Sequence, residues 1–282
     1  MQSHAANPVP EDRGNGMVRI YFSTRDTLQR SSIAWIEIDM KDPARVTRVA
    51  DTPILTPGLI GSFDDSGCSM GCIVRSGTRR LLYYMGWNLG VTVPWRNSIG
   101  LAISDGEDSP FERASIAPIM DRCTADPYTI SYPCVIGGGN KWRMWYGSNL
   151  SWGASDADMD HMIKYAESDD GIEWRRDGKV VLGSDSPEEY AFARPWVTRD
   201  HYLYRMWYAF RGSAYRIGYA ESVDGISWTR RDVEAGLDVS LDGWDSLSIE
   251  YPSVFDHEGR RYMLYCGNGY GKTGFGLAIL DR

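Results

Sequence analysis

The chain has 282 residues, a formal net charge of −8 and an isoelectric point near 5.1. That balance argues against a nucleic-acid groove or an anionic membrane surface as partner. No apolar run approaches the roughly 20 residues of a membrane span and no signal peptide opens the chain, so the cytoplasm is the expected compartment.

One unit returns five times along the chain. It consists of a short apolar strand often entered through proline, a strand ending in paired aromatics, an Ala/Ser strand, an Asp-Gly turn and an outer strand. The first unit (residues 1–58) holds Asn7-Pro8 and then Ile20-Tyr21-Phe22. The second (59–120) runs from Cys68-Ser69-Met70-Gly71-Cys72, without the proline, through Leu82-Tyr83-Tyr84 to Gly100-Leu101-Ala102-Ile103-Ser104-Asp105-Gly106. The third (121–184) holds Tyr132-Pro133, Met144-Trp145-Tyr146 and the phrase Tyr165-Ala166-Glu167-Ser168-Asp169-Asp170-Gly171-Ile172-Glu173-Trp174. The fourth (185–241) repeats it as Arg194-Pro195, Met206-Trp207-Tyr208 and Tyr219-Ala220-Glu221-Ser222-Val223-Asp224-Gly225-Ile226-Ser227-Trp228. The fifth (242–282) has Tyr251-Pro252, Met263-Leu264-Tyr265 and Gly276-Leu277-Ala278-Ile279, and lacks an outer strand.

Self-similarity at about 56 residues, β-branched and aromatic runs between Gly/Asp/Asn turns, and no long helical periodicity predict an all-β fold. An isolated four-stranded sheet cannot bury both faces, so the units are expected to pack around an axis as a single-domain five-bladed β-propeller. Inner strands should start near residues 4, 66, 129, 191 and 248. The five cysteines (68, 72, 123, 134 and 266) are an odd number without disulfide-framework spacing and are expected to be buried. Asp170 and Asp224 should accept hydrogen bonds from turn amides, away from any chemistry, with Trp174 and Trp228 packed between blades. This turn resembles the Asp-box of sialidases, with one residue fewer.

Chemistry is expected on the opposite rim, where the inner strands start and the aromatic strands end. Counting back from the inner-strand proline finds acids at one recurring address: Asp64 and Asp65, Asp126, Glu188 and Glu189, and Asp245 with Glu250. The loops after the aromatic strands add Arg25, Asp26, Trp87, Asn88, Asn149, Trp152, Arg211, Asn268 and Tyr270, with His4, His161 and Arg194 on the same rim. Aromatic faces beside polar groups suit a sugar, and paired carboxyl groups suit glycosidic cleavage. Glu250, Asp245, Asp64 and Glu189 are therefore the candidate catalytic residues, and the others would bind substrate. Bidentate arginines would suit an anionic sugar or phosphate. No metal or other cofactor is expected, and the sequence is silent on oligomeric state.

The blade pattern, and the Glu250-Tyr251-Pro252 entry in particular, resembles the superfamily of arabinanases, xylosidases, invertases and levansucrases, an architecture shared by mannoside phosphorylases. The resemblance implies a glycoside-hydrolase-type enzyme with Glu250 as the acid. It departs at position 7, where the family has an aspartate base or nucleophile and this chain has Asn7. The Arg-Asp-Pro entry of the family is echoed only by Ala125-Asp126-Pro127. Three readings follow: hydrolysis by paired carboxylates, phosphorolysis or transfer on an anionic or nucleotide-linked sugar, and glycan binding without turnover. A closer likeness is to uncharacterised propellers encoded beside surface-polysaccharide or natural-product genes.

Overall fold

A computed structural model describes residues 2–137, 141–153 and 159–280. The described strands form five consecutive antiparallel meanders, the blades of a β-propeller. Blade one is β1 (Ser3–Gly14), β2 (Met17–Arg25), β3 (Ser31–Asp39) and β4 (Asp42–Val49). Blade two is β5 (Gly67–Ser76), β6 (Arg79–Leu89), β7 (Trp95–Ser104) and β8 (Glu112–Arg113). Blade three is β9 (Ile130–Ile136), β10 (Trp142–Ser151), β11 (Asp160–Ser168) and β12 (Val180–Leu182). Blade four is β13 (Ala191–Asp200), β14 (Leu203–Arg211), β15 (Tyr215–Ser222) and β16 (Thr229–Arg230). Blade five has three described strands, β17 (Glu250–His257), β18 (Arg260–Cys266) and β19 (Phe275–Ile279). The inner strands start within two residues of the expected positions.

Single parallel bridges, Ser31 to Gly67 and His161 to Ala191, join blade one to two and three to four. The ring is closed by packing of β1 against β17 and β18. The only described helices are a 3-10 turn at Asp232–Glu234 and the four-residue Asn268–Gly271, so no described helix could cross a membrane.

Inner strands are buried on both faces, between neighbouring blades and the axis, and their polar groups need partners there. The sequence supplies one device repeatedly. Cys72 Sγ accepts the Val135 amide of the next blade, and Cys134 Sγ accepts the Val197 amide of the one after, each at 3.2 Å. In the same way Ser23 Oγ accepts the Met70 amide at 2.8 Å. Cys68 and Cys266 are also buried, but Cys123 is exposed, contrary to expectation, because it stands in the loop before β9 beside the Arg176 guanidinium. The Asp-Gly turns lock blade to blade: Tyr83 Oη donates to Gly171 O (2.9 Å) and Trp145 Nε1 to Gly225 O (2.8 Å). Trp174 and Trp228 meet the same two rings edge-on, between blades as expected.

Each inner strand breaks register near its start. In four blades the break is at the X-Pro pair, where Asn7, Tyr132, Arg194 and Tyr251 take φ of 52°, 46°, 53° and 58°. A left-handed non-glycine residue costs on the order of 1 kcal/mol. Four such residues at equivalent positions around one axis mark the place where strain is held by the fold.

Candidate functional site

The first strands of all five blades converge on a cavity of about 520 Å³, within the range of small-ligand sites. Equivalent cross-strand pairs surround it, and only some of their members line it. Two residues before the inner-strand proline, or before Gly71 in blade two, come Ala6, Ser69, Ser131, Ala193 and Glu250. They face Ser23, Met85, Gly147, Ala209 and Cys266 of the second strands. Nearer the mouth, Arg25 pairs with Ser31, Trp87 with Asn97, Asn149 with His161, and Arg211 with Tyr215.

Of the residues anticipated for binding, His4, Arg25, Trp87, Asn149, His161 and Tyr270 line the cavity. The sequence reading missed Ser69, Trp95, Asn97, Ser131, Tyr132 and Tyr251, which also line it. The cross-strand register would have found all but Trp95, since the others share addresses with residues that were chosen.

The anticipated acids are elsewhere. No Asp or Glu is among the lining residues described. Asp64, Asp126 and Asp245 are buried, and each accepts the hydroxyl of a tyrosine 20 residues on: Tyr84 at 3.0 Å, Tyr146 at 2.9 Å and Tyr265 at 2.9 Å. Their recurrence is therefore a latch between each blade's entry loop and its aromatic strand. Asp64 also holds Arg113 Nε at 2.8 Å, and Asp126 takes Lys164 Nζ and Arg176 Nε, both at 3.0 Å. Blade four uses another acid for its latch: Tyr208 donates to Asp232, beyond the outer strand, and Glu188 stays exposed. Glu189 is paired through both oxygens with Arg230.

Several others of the expected set are occupied with local tasks. Asp65 accepts Asn88 Nδ2 (2.7 Å) and the Gly61 amide (3.0 Å). Asp26 holds Arg30, and Asn268 accepts the Leu247 and Ser248 amides. Trp152 packs edge-on against Trp95, which lines the cavity. Arg211 bonds the Tyr270 hydroxyl at 3.1 Å.

Glu250 stands behind the wall rather than in it. It is 1% exposed, accepts the Tyr270 amide at 2.5 Å and neighbours Tyr251 and Tyr215. Burial pushes its carboxyl up to about 7, against the backbone bond from Tyr270 that favours the ionised form. Arg194 is also fully buried rather than on a rim. Its guanidinium reaches the carbonyls of Gly71 (2.7 Å) and Pro8 (3.4 Å), one residue deeper than the lining positions. No carboxylate among the described residues pairs with it, its Nε has no partner, and burial lowers its pKa. Asn7 Oδ1 is buried and unpartnered as well, in a residue that lines the cavity.

His161 is a second imidazole of the wall, besides His4. Nδ1 meets Asn149 Oδ1 in a short contact, and Nε2 lies 3.0 Å from Ser131 Oγ. Burial pushes its pKa down to about 4, so the ring is neutral above that pH.

No protein-family model matches the chain. It is 50% identical over 281 residues to the uncharacterized protein Rv1502 of Mycobacterium tuberculosis H37Rv, covering all of this chain and 94% of that one. The uncharacterized protein MT1551 of strain CDC 1551 matches to the same extent. Among solved structures, one described as a glycoside hydrolase superposes with a TM-score of 0.79 over 99% of this chain and 88% of its own, at 17% identity. A thermostable family-43 glycoside hydrolase gives 0.72 at 15% identity, over 99% and 90% of the two chains. An exo-1,5-α-L-arabinanase from a bovine ruminal metagenomic library gives 0.67 at 12%, over 99% and 93%. These likenesses establish the fold.

Proposed function

The chain belongs to the family of the mycobacterial protein Rv1502 and has the fold of the propeller glycosidases, and we propose that its axial cavity binds a sugar or sugar-derived molecule bearing a carboxylate or phosphate. The observation that carries this reading is the charge of the site. In a protein of net charge −8, the described lining holds Arg25 and no carboxylate, above a buried Arg194 that no carboxylate neutralises. A buried cation without a counter-ion is costly, and an anionic ligand would offset that cost. Trp87, Trp95, Tyr132 and Tyr251 supply the flat faces on which pyranose C–H surfaces stack, and Asn7, Asn97 and Ser69 supply hydrogen bonds for hydroxyl groups.

Glycosidic cleavage is the second reading. Glu250 favours it, by its place two residues before a proline and a pKa near 7 that suits a general acid. It would work without a second side-chain carboxylate from the described wall, so the nucleophile would have to come with the second substrate, as in phosphorolysis.

Thermal-shift and calorimetric titration with uronic acids, sugar phosphates and their neutral parents tests the first reading. Acidic members should bind, and Arg25→Ala should weaken them by about tenfold, the equivalent of about 1.4 kcal/mol. Equal binding of neutral sugars, unchanged in Arg25→Ala, would overturn it. Sugar release that requires inorganic phosphate and is lost in Glu250→Gln would establish the second.

A further inference from the structure

We propose that Ser131, His161 and Asn149 form a nucleophile–base–orienter relay in the cavity wall, and that the protein carries out acyl transfer on an O-acylated sugar. This rests on the reading of the axial cavity as the sugar site and deepens it by naming the bond attacked.

The geometry is that of an activated hydroxyl. Ser131 Oγ lies 3.0 Å from His161 Nε2, and Asn149 Oδ1 faces His161 Nδ1 on the other side of the ring. The Asn149 amide nitrogen is turned to Met159 Sδ, which leaves the oxygen for the imidazole. The ring proton is thereby held on Nδ1, and the Nε2 lone pair points at the serine hydroxyl. All three side chains line the cavity and come from three successive strands, β9, β10 and β11.

Two further observations separate this group from an ordinary hydrogen-bonded cluster. The blades are repeats, and among the described residues only blade three combines these types at these addresses. Ser131 corresponds to Ala6, Ser69, Ala193 and Glu250, Asn149 to Arg25, Trp87, Arg211 and, just past β18, Asn268, and His161 to Ser31, Asn97 and Tyr215. Room for the pair is also made by a residue specific to blade three. A Cβ on Gly147 would stand 2.2 Å from His161 Nε2 and 2.6 Å from Ser131 Oγ, whereas the other blades have Ser23, Met85, Ala209 and Cys266 there.

The chemistry balances within these groups. Ser131 Oγ attacks the ester carbonyl carbon while its proton passes to His161 Nε2. The tetrahedral intermediate collapses, the C–O bond to the sugar breaks, and the imidazolium gives its proton to the departing sugar oxygen. Water, deprotonated by the same Nε2, then cleaves the acyl-serine, releasing a carboxylic acid and restoring the hydroxyl; a second sugar hydroxyl in place of water gives transfer. The amides of Asn7 and Asn97 and the Tyr132 hydroxyl line the same cavity and are donors of the kind an oxyanion needs.

The test treats the full-length protein with an alkyl fluorophosphonate and, separately, p-nitrophenyl acetate, with peptide mapping of the adduct. Phosphonylation at Ser131 is expected, absent in Ser131→Ala and slowed at least about 100-fold in His161→Asn, the range of general-base catalysis. Gly147→Ala, which removes no reacting group, should slow it as well by displacing the imidazole. Near-native melting temperatures of the variants exclude unfolding as the cause. A wild-type protein that binds acidic sugars but takes no label at Ser131 overturns the relay and leaves the binding site standing. Labelling at Ser131 without sugar binding supports the relay and overturns the sugar. Labelling that persists at the wild-type rate in His161→Asn overturns the role of the histidine.

Discussion

A carboxylate that must stay buried needs either full pairing or its proton, and this propeller uses both solutions. Asp126 takes the first. With Tyr146, Ser148, Lys164 and Arg176 around it, it is 0% exposed and fully engaged. Asp126→Asn would leave Lys164 without its anion, and loss of one partner of a buried pair costs about 3–5 kcal/mol. We expect a fall in denaturant midpoint with the m-value unchanged; a loss under 1 kcal/mol would mean that the latch is dispensable.

Glu250 takes the second solution. Its folded pKa of about 7 lies above the value of an unfolded-chain glutamate, so the folded state binds the proton more tightly. The stability it contributes is complete below about pH 4.3 and is lost as pH rises through 7. Glu250→Gln should abolish that slope and make the protein more stable than wild type at pH 8, by at most about 3.5 kcal/mol for a shift of this size. Parallel melting curves of the two proteins from pH 5 to 8 would show that the group is not titrating in the fold.

At the scale of the element, the Asp-Gly turn shows what a repeated phrase encodes. Asp170 Oδ1 accepts the amides of Ile172 and Glu173, and Asp224 Oδ1 those of Ile226 and Ser227, all between 2.7 and 2.9 Å. These bonds favour the ionised form and hold both carboxyls below the usual aspartate value, Asp224 well below it. Alanine at either position should cost about 1 kcal/mol. The wild-type contribution is present above the unfolded aspartate value near 3.9 and is lost as pH falls through the folded one, so wild type and variant should converge in acid melts.

This turn was legible because its function is local: acid, glycine and tryptophan lie within five residues of each other. The strand starts were legible for a similar reason, through the X-Pro pairs. The acidic address was found correctly as a recurrence, but its partner is a tyrosine 20 residues away, and no local pattern tells an axial acid from one facing its own blade. The pairing of Ser131 with His161 was harder still. Serine recurs at its address only as Ser69, histidine at its address in no other described blade, and their meeting depends on a glycine, Gly147, whose meaning appears only with strand register.

At the scale of the molecule, Arg194 is where the blades meet. It springs from blade four in a left-handed conformation and donates to carbonyls of blades one and two, so one side chain ties three blades below the cavity. It is a structural tie and, on the proposed reading, also a positive charge beneath the ligand. Arg194→Met separates the two roles. Methionine fills comparable apolar space and removes a buried charge that has no counter-ion, which by itself is neutral or stabilising. It also strands two carbonyl acceptors, at about 1–3 kcal/mol each if they find no other donor. These opposing effects should leave the melting temperature within a few degrees of wild type, while affinity for an acidic sugar falls about tenfold and that for its neutral parent stays constant. Calorimetric titration of both ligands, beside a thermal melt of the free variant, measures the two roles independently. A large drop in melting temperature with the preference for acidic sugar intact would make Arg194 a tie alone, and the anionic specificity would then have to come from Arg25 at the mouth.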